Sequence, residues 1–225
     1  MDFFTNKKEK KSIMQIESLK ISYFTVYRLS TYLRVLSKLD RSRVGTITSV
    51  EIGEMTCTPD TQVRKDLAYF GQFGKSGTGY DVKKLKRKIS EILGTRKIWH
   101  VALIGVGSLG RALLAYPGFK ERGFYFVAAF DIDKKKIGKQ FNKIIVQDMR
   151  YLEKEIKEKK IKIGTIAVPA SNAQQITNRF VDAGVECIFN FAPIRLKVMK
   201  KIRVRNIDLA SEIALFSFYL KNKSW

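Results

Sequence analysis

The chain has 225 residues, 45% of them hydrophobic, two cysteines and a formal net charge of +22. That length builds one large domain or two modest ones around packed cores. Cys57 and Cys187 stand far apart in no metal-like spacing, which argues against a disulfide framework or a cysteine-held metal and fits a reducing, cytoplasmic setting. No apolar run approaches the roughly 20 residues of a membrane-spanning helix, no signal peptide is visible, and no membrane partner is expected. The basic excess is spread, with 20 Lys/Arg against 10 Asp/Glu in residues 1–98 and 23 against 11 in residues 99–225. Such charge attracts nucleic acid without locating a site.

Residues 1–22 show no period and read as a flexible extension carrying Lys7, Lys8, Lys10 and Lys11, with Met14 an alternative start. Val26, Leu29, Leu33 and Leu36 then recur at helical spacing, predicting a first helix of about fifteen residues. Thr48 with Glu51 makes a capping box for a short second helix that carries Ile52 and Met55 inward. Thr58-Pro59 reads as an N-cap and a proline at the first helical position of a third helix running to about Phe70. Its apolar face is Val63, Leu67 and Phe70. At about 100° per residue, Gln62, Lys65 and Tyr69 fall opposite, with Arg64 on the flank.

Three short helices ending in such a face make a helix-turn-helix pattern. Gln suits adenine edges, and Arg or Lys suits guanine or phosphate. The glycine-rich turn at 74–80, with Lys75 near its tip and Gly77 and Tyr80 behind it, fits a wing. A fourth helix with Leu85, Ile89 and Leu93 closes a domain of residues 23–97. Ser49 and Thr58, at the starts of the second and third helices, join the candidate DNA contacts. The plainer alternative is a helical bundle with a solvated charged face.

From Trp99 the rhythm becomes β-α-β: VALI, FYFVAAF, KIIV, IGTIAV and ECIFNF alternate with helical stretches, the pattern of a parallel sheet. Gly105, Val106, Gly107, Ser108, Leu109 and Gly110 follow the first strand and open a helix. The first glycine suits the tight turn, the second the approach of a pyrophosphate, the third close helix–strand packing. Asp131 ends the second strand 26 positions after Gly105, against an expected spacing of about 20. With Ile132 beside it, it would accept adenosine ribose hydroxyls and favour NAD(H) over NADP(H), although Lys134, Lys135 and Lys136 leave that choice open. Val168-Pro169 and Asn190-Phe191-Ala192 end later strands and would line the nicotinamide half. The alternatives are ordinary proline turns and a nucleotide fold that has lost its ligand. This domain is taken as residues 98–206.

Residues 207–225 form a last helix. Leu209, Ile213, Phe216 and Leu220 make its stripe, and Phe218 and Tyr219 widen it. So broad an apolar surface predicts a homodimer interface; the duller option is packing on its own sheet. The single histidine, His100, begins the first sheet strand at the wrong end for a ligand. No Ser/His/Asp arrangement or metal cluster is visible. A cofactor site without catalytic groups points to sensing, not turnover.

Taken together, FTVYRLSTYLRVL, QVRKDLAYFGQFG with GTGYDV, VALIGVGSLGRALLAYPGF, FD at 130–131, NFAP and the terminal NIDL helix resemble the Rex family of bacterial redox-sensing transcriptional repressors, over about residues 21 to 221. The resemblance implies an α/β protein: a winged helix-turn-helix domain, a Rossmann-like parallel-sheet domain, and a C-terminal dimerisation helix exchanged between subunits. It implies binding of double-stranded operator DNA when NADH is low relative to NAD⁺, and release when NADH binds. It places the dinucleotide on residues 105–110 and Asp131, its nicotinamide end by Pro169 and residues 190–192, and DNA on Gln62, Arg64, Lys65, Tyr69 and the wing. Arg28, Tyr116 and Asp208 match positions of a switchable contact, with Phe216 in the interface. Ser76, Cys57 and Leu209 depart from the commoner pattern, and the basic extension lies outside it. Two other readings stay open: an NAD(H)-dependent oxidoreductase with a basic N-terminal appendage, and a DNA-binding regulator that answers another nucleotide such as NADP(H).

Overall fold

The first long helix, α1 (Tyr23–Arg41), starts where Ser22 Oγ accepts the Thr25 amide. In this computed structural model, which describes residues 21–74 and 78–222, the helix runs to 19 residues. Its inward stripe is Thr25, Leu29, Tyr32, Val35 and Leu36. Val26, expected in that stripe, is exposed. The stripe is rotated because Tyr32, amphipathic by sequence, is fully buried with its hydroxyl donating to Asp66. The basic extension and the wing-tip residues Lys75, Ser76 and Gly77 lie outside the described residues. The described residues fall into two compact units, one ending at Arg96 and the other beginning at Lys97.

In the first unit α1 is followed by β1 (Thr46–Ile47), α2 (Ser49–Thr56), α3 (Asp60–Ala68), β2 (Tyr80–Asp81) and α4 (Val82–Ile92). The capping box opening α2 is complete: Thr48 Oγ1 accepts the Glu51 amide, and Glu51 Oε2 accepts the Thr48 amide. Ile52 is buried, but Met55 faces solvent, against expectation. The position that packs inward beside Ile52 is Gly53, where a Cβ would stand 2.5 Å from Thr58 O. The α2–α3 turn is that tight. Pro59, not Thr58, is the N-cap of α3, and no side chain caps that end; Thr58 Oγ1 donates to Thr56 O instead. Helix α3 ends at Ala68, two residues earlier than predicted. Strands β1 and β2 pair antiparallel, Ile47 opposite Tyr80, and form the base of the wing. Asp81 then caps α4, which buries Val82, Leu85 and Ile89.

Cys57 ends α2 at φ 50°, in the left-handed region. A side chain there costs roughly 1–2 kcal/mol that glycine does not incur, partly offset by glycine's looser unfolded chain. Cys57→Gly is therefore expected to stabilise this unit by about 0.5–1 kcal/mol, read as a raised melting temperature.

The second unit is a seven-stranded sheet with helices: β3 (Trp99–Ile104), α5 (Ser108–Ala115), α6 (Pro117–Lys120), β4 (Phe124–Asp131), β5 (Gln140–Phe141), β6 (Ile144–Asp148), α7 (Leu152–Glu158), β7 (Ile163–Ile166), α8 (Ala170–Asp182), β8 (Cys187–Asn190), β9 (Arg203–Asn206) and α9 (Leu209–Asn222). The spatial order is β5-β6-β4-β3-β7-β8-β9, parallel throughout except for β5. Without β5 this is third, second, first, fourth, fifth, sixth, the doubly wound order with its reversal between β3 and β7. Strand alternation fills two cores. Ala102 and Ile104 face Phe130, Leu152, Ile166 and Phe180 on one side, while Leu103 faces Val106, Leu114, Ala129 and Val146 on the other. Strands β5 and β9 have no hydrophobic run to announce them; they are edge strands held by ladder bonds. Helix α9 buries none of its residues, so it does not pack on its own sheet. No described helix is long and apolar enough to cross a membrane.

Candidate dinucleotide site and DNA-reading face

Four strand ends, those of β3, β4, β7 and β8, are tied together at the β3/β7 reversal. The Gly105 amide donates to Phe130 O (2.9 Å), Ala167 N to Ile104 O (2.8 Å) and Phe191 N to Ile166 O (2.9 Å). Gly105, at φ +93°, lies so close to β7's exit that a Cβ would stand 2.3 Å from Ala167 O. At Gly110, buried on α5, a Cβ would stand 2.0 Å from Gly105 O. Gly107 differs. It is the N-cap of α5, no side chain caps that end, and a Cβ there would meet nothing within 4 Å. The first-turn amides, at exposed Ser108 and Leu109, therefore open on an uncluttered approach with the helix's positive end behind them. That cradle fits a pyrophosphate.

Asp131 is held from within the chain. Its carboxylate is buried, with Oδ2 accepting from Val106 N (2.9 Å) and Lys136 Nζ (2.9 Å) and Oδ1 from Asp133 N (3.0 Å). Burial alone would raise its pKa, but the Asp133 amide, the Lys136 ammonium and the Val106 amide outweigh it and hold the carboxyl below the ordinary range. Asp131 thus ties the β4 end to the glycine turn, and Lys136 shares its outer edge. Ile132 beside it is 74% exposed.

Asn190 is likewise committed inward. Fully buried, it donates to Ala192 O, Ile194 O and Asn206 Oδ1 and accepts the Ala192 amide. It moulds the 190–194 loop, where Phe191 is edge-on to Phe189 at 4.6 Å; after β7, Val168 is half-buried and Pro169, the N-cap of α8, is exposed. His100 sits at the far end of β3, its Nδ1 on Lys159 O at 2.7 Å. Among the described residues no group of His, Cys, Asp or Glu could hold a metal.

In the first unit α3 presents Arg64 and Lys65 to solvent, and Tyr69, its C-cap, is exposed as well. Arg64 bonds Asp60 Oδ2 (2.6 Å) and Ser49 Oγ (3.0 Å), so Ser49 braces it from α2. Tyr80 is half-buried, and burial pushes its hydroxyl pKa up. Gln62 is half-buried, and its Nε2 donates to Asp66 Oδ1 at 2.8 Å.

The sequence reading missed Asp66. It stands beside Leu67 on the inward side of α3 and is completely buried. Arg28 meets it with two bonds of 2.6 and 2.7 Å, and the Tyr32 hydroxyl donates at 2.8 Å. A charge on an apolar face is a signal that partners must exist elsewhere in the chain. Arg28, expected in a switchable contact, is thus held by Asp66. Tyr116 is exposed and edge-on to Phe119, and Asp208 caps α9 through the Ser211 hydroxyl and the amides of Ala210 and Ser211.

Comparison with known proteins finds a family match in each of the two units. Residues 96–194 match the family model "CoA binding domain", and residues 20–68 match "Putative DNA-binding protein N-terminus". The redox-sensing transcriptional repressor Rex of Carboxydothermus hydrogenoformans is 44% identical over 92% of this chain and 99% of its own length. That of Desulfitobacterium hafniense is 45% identical over 90% of this chain and 97% of its own. Among solved structures, RSP in complex with beta-NAD⁺ and operator DNA superposes with a TM-score of 0.86 at 34% identity, covering 92% of this chain and 95% of that one. RSP in complex with beta-NADH gives 0.82 at 33% identity, covering 92% and 97%. Identity of this extent over nearly the whole of both chains establishes kinship, and the chain belongs to the Rex family of redox-sensing transcriptional repressors, regulators and not enzymes.

Proposed function

We propose that this protein is a cytoplasmic repressor that grips a two-fold operator through α3 and the wing when NADH is low, and releases it when NADH binds at the β3/β7 reversal. The observation that carries the reading is the uncapped α5 N-terminus behind Gly107, in the same chain as an exposed Arg64/Lys65/Tyr69 face. The α5 amides would hold the pyrophosphate. Asp131 and Lys136 would receive the ribose. Phe191, Ala192, Val168 and Pro169 would flank the nicotinamide. Both NADH and NAD⁺ fit this frame, and the cofactor supplies no bond chemistry, only a redox-dependent shape and charge. Ser49, Arg64, Lys65 and Tyr69 would meet the duplex, with Gln62 reading a base; Lys75 and Gly77 belong to the proposed wing tip.

Coupling requires NADH to bind the released state better than the DNA-bound one. A ten-fold loss of operator affinity needs only about 1.4 kcal/mol, and operator must then weaken NADH by the same factor. Fluorescence anisotropy of a labelled two-fold duplex, against a scrambled duplex at equal salt, tests the reading. Release by NADH with little response to NAD⁺ supports it. Specific binding indifferent to both would leave the DNA reader and remove the sensor.

The apolar surface of α9 supports a second copy of this chain as its partner, through an exchanged helix. Leu209, Ile213, Phe216, Phe218 and Leu220 are each more than half exposed, and a wholly exposed apolar helix needs burial. Ile213→Asp is expected to convert a dimer to a monomer in sedimentation at micromolar protein. An unchanged dimer would place the interface elsewhere.

A further inference from the structure

The bond between Gln62 and buried Asp66 bears on what this face can read. Asp66 has no exposed surface, and four hydrogen bonds converge on its two oxygens: two from Arg28, one from Tyr32 and one from Gln62. An ionised carboxylate accepts and never donates. Burial works against ionisation here, yet Arg28, Gln62 and Tyr32 together hold the carboxyl below its ordinary range. Gln62 must therefore turn its NH₂ inward. Reversing the amide would set its carbonyl oxygen against a buried carboxylate, which is repulsive and forfeits the bond between them. The orientation of this amide is thus fixed by α1, through Arg28 and Tyr32, as well as by α3.

The outward chemistry follows. One N–H of Gln62 is spent on Asp66, so Oε1 and a single remaining N–H are left for an outside partner. That pair of one acceptor and one donor matches adenine, which offers an N6–H donor and an N7 acceptor in the major groove. Guanine offers two acceptors, O6 and N7, and Gln62 has only one donor left to give them. An unconstrained glutamine could use both N–H groups. We propose that Asp66 is a specificity-determining positioning residue: by fixing the Gln62 amide it makes the α3 face prefer adenine over guanine at one position of each half-site. The proposal rests on the reading of α3 as the DNA-reading helix.

The test is selection of bound duplexes from a randomised pool at fixed salt, with the full chain as wild type, Gln62→Ala and Asp66→Asn. Gln62→Ala should flatten one position. Asp66→Asn, whose amide can donate to Gln62 Oε1 and reverse it, should cut adenine-over-guanine preference at that same position about ten-fold and leave other positions as in wild type. A profile for Asp66→Asn identical to wild type, or one flattened equally at every position, overturns the proposal while leaving the DNA reader intact. A wild type that enriches no sequence overturns the reading of α3 and the proposal with it. Should Asp66→Asn not fold, side-chain amide NMR of the wild-type protein still decides. A Gln62 NH₂ with one slowly exchanging proton supports the lock, and two freely exchanging protons rule it out.

Discussion

Asp66→Ala is expected to destabilise the N-terminal unit by about 3 kcal/mol, near the lower end for removing one partner of a buried ion pair. The lower end applies because the Arg28 side chain keeps a quarter of its surface in water while Asp66 keeps none. The variant leaves the Arg28 guanidinium without its carboxylate and deprives the buried Tyr32 hydroxyl of its acceptor. For a domain of this size such a loss lowers the melting temperature by roughly 15 °C. Acid titration gives an independent handle. The folded-state pKa of Asp66 lies below its ordinary value, which in an unfolded chain is about 3.9. Its contribution is therefore complete above that pH and is withdrawn as pH falls through the folded pKa. Stability of the wild type should fall along this limb, and Asp66→Asn, already less stable at neutral pH, should fall less steeply. Parallel acid limbs for the two proteins would mean that Asp66 titrates alike folded and unfolded, and would remove the ion pair from the account of stability.

Asp66 also shows why some of this molecule was legible in the sequence and some was not. The Thr48–Glu51 capping box could be read outright because both partners lie three residues apart. The βαβ rhythm and the three glycines could be read because strand, turn and helix follow one another directly. Asp66 could not, because its partner Arg28 lies 38 residues away, and only the folded chain reveals that a charged side chain faces inward. The same cause rotated the α1 stripe: Tyr32 looks like a boundary residue until Asp66 is placed over its hydroxyl. Asp131 and Asn190 were located correctly as strand-end polar residues. Their partners within the chain were not, since the bonds from Val106, Lys136 and Ala192 appear only once the loops are folded. Strand β9, RVRN, carries too little apolar character for any periodicity and exists because Ile188 and Val204 pair across the ladder.

The three glycines of the β3–α5 turn should separate cleanly on substitution by alanine. Gly110→Ala places a Cβ 2.0 Å from the Gly105 carbonyl oxygen, and Gly105→Ala places one 2.3 Å from the Ala167 carbonyl oxygen at a φ of +93°. In both cases the obstacle is backbone, which cannot swing aside as a side chain could. Backbone strain at the left-handed Gly105 costs about 1–3 kcal/mol, and overpacking at either position costs a similar amount. Each variant should therefore lose about 2 kcal/mol or more, with the C-terminal unit melting early whether or not a dinucleotide is present. Gly107→Ala should behave oppositely. Its Cβ meets nothing within 4 Å, so the free protein should lose no more than about 1 kcal/mol, the difference between glycine and alanine at an N-cap. The added methyl group occupies the approach to the α5 amides, and NADH affinity should fall at least about ten-fold, or ~1.4 kcal/mol. Thermal melts with and without NADH, beside a fluorescence titration of NADH, read all three. If Gly107→Ala bound NADH as tightly as wild type, the pyrophosphate would have to lie elsewhere than on the α5 N-terminus. Early melting confined to Gly105→Ala and Gly110→Ala would mean that only those two are required by the fold, and that glycine at 107 answers to the ligand.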